Sequence, residues 1–119
     1  EALEAAETLE AEGIHARVLD CYSVKPIDAD ALREAARATG GPIVTVEDHW
    51  PEGGLGDAVL DALADTDERP RVVKLAVREM PGSGPSDDML AAAGIDAAAI
   101  AQEARNLAQA PAREPAVAT

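Results

Sequence analysis

An α/β fold with a small, mostly parallel sheet between two layers of helices is what this sequence predicts, and three observations predict it. Short β-branched runs alternate with alanine- and leucine-rich stretches whose apolar residues recur at helical spacing, the pattern of linked βα units. Glycine and proline punctuate these stretches at positions 13, 40–42, 81–85 and 94, where breaks in regular structure belong. The stretch VTVEDHWPEGGLGDAV (44–59) joins a strand, an elaborate polar turn and a helix. In open α/β sheets ligands gather at such turns, where loops leave the carboxyl ends of strands.

Taken in order, residues 1–12 read as a helix of good helix formers, with Ala2, Ala5, Ala6 and Leu9 as its apolar stripe. Gly13 is the expected residue just past its end. Residues 14–21 alternate: Ile14, Ala16, Val18 and Asp20 face one way, His15, Arg17, Leu19 and Cys21 the other. That period of two predicts a strand. After a connecting loop, Asp28 is the expected N-cap of a helix over 29–39, which Gly40, Gly41 and Pro42 stop.

Residues 43–46, IVTV, form the next strand, and EDHWPEGG (47–54) the turn. Leu55, Ala58, Val59, Ala62 and Leu63 then fall on one face of a helix. RVVKLAV (71–77) is a third strand. Ser86 is the expected cap of a short helix, with Asp87 and Asp88 near its positive end, and Gly94 ends it. Asp96 is the expected cap of a last helix to about residue 108. The final stretch, APAREPAVAT, has no periodicity and reads as a disordered tail. The domain is thus expected to span 1–109 and the tail 110–119.

The result is a three-layer α/β/α arrangement. Three strands are few for it. The chain lacks an initiator methionine and opens inside a helical pattern. It reads as a piece of something longer, with the first strand of the sheet missing from this chain.

Composition narrows the function. With no phenylalanine, one tyrosine and one tryptophan in 119 residues, the core must be aliphatic. The formal net charge of −13, from 23 acidic and 10 basic residues, argues against nucleic acid and acidic membranes as partners. One cysteine, Cys21, excludes an intrachain disulfide and fits a cytoplasmic location. No apolar run reaches the length of a membrane span.

The chemistry is densest between 47 and 56. Gly54, Leu55 and Gly56 open a helix after a strand, as in half of a dinucleotide fingerprint. Val59 stands where the third glycine belongs, and Glu47, Asp48 and Glu52 would repel a phosphate. The plainer reading is a sharp turn and close helix–strand packing. Asp48 and His49 are adjacent, but neighbours at a strand end point apart, so adjacency does not make an acid–base pair. No second nitrogen or sulfur ligand stands at metal-binding spacing. His15 reads as structural and Cys21 as an inert buried thiol. Trp50 on a polar loop serves an interface or folds back over its own domain; both readings stay open.

The stretch 44–59 resembles the C-terminal domain of transketolase. Three further segments agree in order: DCYSVKPIDADAL (20–32), RVVKLAVREMPGSGPSDDML (71–90) and GIDAAAIAQEARNL (94–107). The resemblance implies a parent enzyme of the pentose phosphate pathway that moves a two-carbon ketol unit between sugar phosphates. Its thiamine diphosphate and divalent metal are held by the two preceding domains at a dimer interface. None of those motifs occurs here, so no catalytic, cofactor-binding or metal residue is carried over. The expected role is structural: packing on the other domains and support of a homodimer, with His49, Trp50 and Glu52 on an interface or channel-facing loop. Two rivals are the C-terminal domain of a 2-oxo-acid dehydrogenase beta subunit, and a regulatory module binding an anion at residues 53–56. The isolated chain is expected to be inactive and to bind no thiamine diphosphate.

Overall fold

The computed structural model describes residues 1–67 and 69–110. Seven elements follow one another: α1 (Ala2–Ala11), α2 (Ala29–Thr39), β1 (Ile43–Val46), α3 (Leu55–Leu63), β2 (Val72–Leu75), α4 (Ser86–Ala93) and α5 (Ala97–Gln109). β1 and β2 pair in parallel, with Ile43 opposite Val72 and Val46 opposite Leu75. The pairing runs on past the strand ends, since Val77 N–H donates to the His49 carbonyl at 2.9 Å.

The sheet separates two aliphatic cores, as the three-layer prediction requires. On one face, Leu32 and Ala36 of α2 meet Val59, Ala62 and Leu63 of α3, and the sheet contributes Ile43 and Val72. On the other face, Ala5 and Leu9 of α1 meet Ile100 and Ala101 of α5, and the sheet contributes Val46 and Leu75. The period of two along each strand delivers alternate residues to opposite cores. α1 and α5 lie side by side and run the same way. The Glu1 carboxylate accepts from Ala97 N–H at one end, and Arg105 makes two 2.8 Å bonds to Glu12 at the other.

The helix ends follow the sequence closely. Asp28 accepts from Ala31 N–H at 3.0 Å and Asp96 from Ala99 N–H at 2.9 Å. Gly40 and Gly94 take the left-handed conformation that closes α2 and α4. One expected cap is corrected. Pro85, not Ser86, is the N-cap of α4, and Ser86 is the first helical residue. Proline fixes the turn into the helix, and its carbonyl accepts from Met89 N–H.

A second correction concerns residues 14–21. They carry no regular strand, because a strand exists only through its neighbours and no backbone pairs with this one among the described residues. Only the two ends of the segment are packed: Ile14 joins the α1 and α5 core and Cys21 the α2 and α3 core, while residues 15–20 are exposed. The last strand is also shorter than 71–77. Of the expected tail, Ala110 is the C-cap of α5, and 111–119 lie outside the described residues.

Candidate functional site

The site grows from the carboxyl end of β1. Ile43, Thr45 and Glu47 share the face turned toward α3. Glu47, one residue beyond the strand, therefore points at the start of that helix, and its side chain is only 6% exposed. Its two oxygens accept from Leu55 N–H at 2.9 Å and Gly56 N–H at 2.8 Å. Those are N–H groups the first turn of a helix leaves without helical partners. The carboxylate also sits at the positive end of the helix dipole. Asp57 reaches back to take Gly53 N–H at 2.6 Å. Three amides between 53 and 56 are thus answered by carboxylates of this chain.

Two glycines make this arrangement possible. A Cβ on Gly54 would overlap the Glu47 carboxylate and stand 2.8 Å from His49 Nδ1. A Cβ on Gly56 would stand 2.8 Å from the stem of Lys74. That stem runs from β2 along the start of α3 and ends at Asp57, with a further 3.3 Å bond to the Pro51 carbonyl. The Lys74 ammonium and Gly53 N–H together hold the Asp57 carboxyl below its ordinary pKa. Close packing, rather than positive φ, is what Gly54 and Gly56 supply; Gly53 is the residue with φ +75°.

His49, Trp50 and Glu52 all lie on this loop and all face solvent. Trp50 is 43% exposed, while Pro51 behind it is buried and anchors the loop. His49 Nδ1 stands 2.6 Å from the Trp50 carbonyl and 3.6 Å from Glu47. A carbonyl only accepts, so the contact places a proton on Nδ1. The structure joins His49 to Trp50 and to Glu47, but it does not join His49 to Asp48. Cys21 is half-buried, and burial, with Asp20 and Asp28 nearby, raises its thiol pKa. Among the described residues no cluster of three or more histidine, cysteine or acidic side chains is placed to hold a metal ion.

Residues 1–100 match the family described as "Transketolase, C-terminal domain". This chain belongs to the transketolase family. It is 48% identical to human transketolase over 107 residues, 90% of this chain and 17% of that protein. It is 48% identical to transketolase-like protein 1 of Bos taurus over 97 residues, 80% of this chain and 16% of that one. Among solved structures, a chain described as a split-gene transketolase, inactive beta4 tetramer, superposes with TM-score 0.78 at 42% identity, over 89% of this chain and 33% of that one. The chain spans about a sixth of the length of the curated transketolases it matches. A 2-oxo-acid dehydrogenase origin is not favoured by these relatives.

The transketolase resemblance brings thiamine diphosphate with it, and the residues described here do not fit that group. The glycine-rich helix start is the natural seat for a diphosphate, and Glu47 fills it. The same observation sets aside an anion-binding module at 53–56.

Sequence reading saw Glu47 only as a charge that would repel phosphate. Its work as the built-in occupant of the helix start was missed, although a carboxylate ahead of Gly-Gly-x-Gly is the signal. Lys74 was missed as well. Its signal was a lone cation in an apolar strand, with Asp57 in the first turn of the preceding helix.

Proposed function

We propose that this chain is the C-terminal, structural and dimer-supporting domain of a cytoplasmic transketolase, and that it is inactive by itself. The parent enzyme transfers a two-carbon ketol unit between sugar phosphates. Thiamine diphosphate and a divalent metal, held by the other domains, supply the carbanion chemistry there. One observation carries the reading: the helix start that would hold a phosphate group already holds Glu47. This domain therefore contributes packing, not ligand contacts. The description of the structural neighbour as an inactive tetramer supports the view that a transketolase piece of this kind needs the rest of the enzyme.

The loop bearing His49, Trp50 and Glu52 is the proposed contact with the neighbouring domains or the substrate channel. Pro51 and Lys74 hold its base, so the exposed indole is presented on a fixed support, as interface anchors are. Titration calorimetry of the 119-residue chain with thiamine diphosphate and magnesium tests the reading. No saturable heat is expected; binding at micromolar concentration overturns it.

A further inference from the structure

Because β1 and β2 are parallel, the chain leaves both at the same end of the sheet. Two segments meet there: the loop 47–54 after β1 and residues 76–82 after β2. Val77 N–H, bonded to the His49 carbonyl at 2.9 Å, ties them together. Each carries one large apolar side chain that solvent reaches. Trp50 is 43% exposed and Met80 83%. The backbone at Trp50 is held in place: its carbonyl stands 2.6 Å from His49 Nδ1, Pro51 is buried, and the Pro51 carbonyl accepts from Lys74 Nζ at 3.3 Å. An indole on so fixed a support loses little freedom when a partner covers it.

Carboxylates rim these two side chains. Asp48 and Glu52 stand two residues to either side of Trp50, Glu79 precedes Met80, and all three are exposed. Among the described residues none of the three has an ion-pair partner. Two residues span at most about 7 Å, which is inside the screening length of about 8 Å at physiological salt. The charges of Asp48 and Glu52 are therefore felt at the indole. The cations nearby are turned elsewhere: Arg78 donates back to the Lys74 carbonyl at 3.2 Å, and the Lys74 ammonium is taken by Asp57 and Pro51. What is left to a partner is a fixed aromatic ring inside a rim of negative charge.

We infer that this face docks an arginine-bearing segment of a neighbouring protein domain, with the guanidinium stacked on Trp50 and its N–H groups turned to the carboxylates of Asp48 and Glu52. An apolar residue beside that arginine covers Met80. Tryptophan is the best of the aromatic faces for a cation. Guanidinium suits the site better than ammonium, because it is planar, weakly hydrated, and able to stack while its edge forks onto carboxylates. A second copy of this chain fits poorly. In a two-fold contact the patch would meet itself, carboxylates against carboxylates, on chains that each carry a net charge of −13. A phosphate-bearing partner is repelled by the same rim. The inference gives the partner's chemistry for the loop already proposed as a domain contact, and it rests on that reading.

Trp50 is the sole tryptophan of the 119-residue chain, so its fluorescence reports this face alone. The chain is titrated with a blocked pentapeptide of alternating leucine and arginine, and with versions carrying lysine or neutral citrulline in place of arginine. The arginine peptide should shift the Trp50 emission, binding about threefold more tightly than the lysine version and about tenfold more tightly than the citrulline version. Asp48→Asn together with Glu52→Gln should weaken it about tenfold, whereas Asp61→Asn with Asp65→Asn, at the far end of α3, should weaken it less than about twofold. Trp50→Leu, followed by calorimetry, should also weaken it about tenfold. An emission unmoved by the arginine peptide at millimolar concentration overturns the inference. Equal binding of the arginine and citrulline peptides leaves an apolar patch alone and overturns the cation. Equal binding of arginine and lysine overturns the stacked guanidinium. Equal losses from the two pairs of acid substitutions mean a general attraction to an acidic chain, and overturn the site. Thiamine diphosphate binding to the chain would overturn the proposed domain role without moving these ratios, so the two readings fail separately.

Discussion

β1 is sealed at its carboxyl end and open along its outer edge. At the end, each amide and charge described is answered by a group 4 to 23 residues away in sequence: Gly53 by Asp57, Leu55 and Gly56 by Glu47, Lys74 by Asp57 and Pro51. Along the outer edge, Val44 and Val46 line a groove of about 380 Å³ that separates β1 from residues 14–19. The difference teaches where cohesion comes from in this domain. The strand, loop, helix and strand from 43 to 75 are consecutive, so they bring their own partners and form one cooperative unit. The other wall of the outer groove, made by residues 14–19 and Cys21, lies outside that unit.

The largest expected effect falls on the sealed end. Gly54→Val would displace the Glu47 carboxylate and leave two amides unanswered, a cost of about 3–5 kcal/mol from overpacking and lost hydrogen bonds together. That is a large part of a domain's stability, so the urea midpoint should fall sharply. A midpoint equal to that of the parent chain would mean that Glu47 is not held at the helix start.

Gly56→Val presses on the Lys74 stem, which is tied down at Asp57 and Pro51 and cannot swing away. The expected loss is about 1–3 kcal/mol, read as a lower melting temperature. Glu47→Gln keeps one acceptor oxygen but turns an NH₂ group toward an N–H donor. It should cost roughly 1–3 kcal/mol, and restoring stability with added phosphate would revive the anion-binding reading.

A smaller effect is set by pH. Asp57 and Glu12 both have lowered folded-state pKa values, the first through Lys74 and Gly53, the second through Arg105. A lowered carboxyl pKa contributes stability that is complete above its unfolded pKa and is lost as pH falls through the folded one. Acid unfolding should therefore be shallower in Asp57→Asn than in the parent chain, with the difference between the two largest at neutral pH and vanishing in acid. Parallel acid limbs in the two proteins would show that the Lys74 contact is not formed in solution. The smallest effect belongs to the open edge. Val18 is 38% exposed, so Val18→Ser should change the bare chain by no more than about 0.5 kcal/mol. A larger loss would show that Val18 is buried in solution.

Much of this was legible in the sequence because it depends on neighbours in the chain. Asp28, Asp96, Gly40 and Gly94 mark helix ends through bonds three or four residues long, and period-two or helical spacing marks the two cores. Residues 14–21 show the limit of that logic. Their sequence alternates, yet only Ile14 and Cys21 reach the cores while residues 15–20 are exposed; pairing is a property of two segments and the pattern of one cannot announce it. Ser86 failed as a cap because the proline before it already fixes the turn. The bond from Glu47 spans eight and nine residues across a loop, longer than any capping rule reaches, so its role appeared only once the loop was folded.

The Glu47 carboxylate has a consequence for any free anion that meets this helix start. A tethered group competes for its seat at an effective concentration far above the millimolar range, and no free phosphate ester matches that. The helix start is therefore indifferent to the metabolite pool around it. Swings in free phosphate concentration leave its occupancy, and the position of the loop it anchors, unchanged.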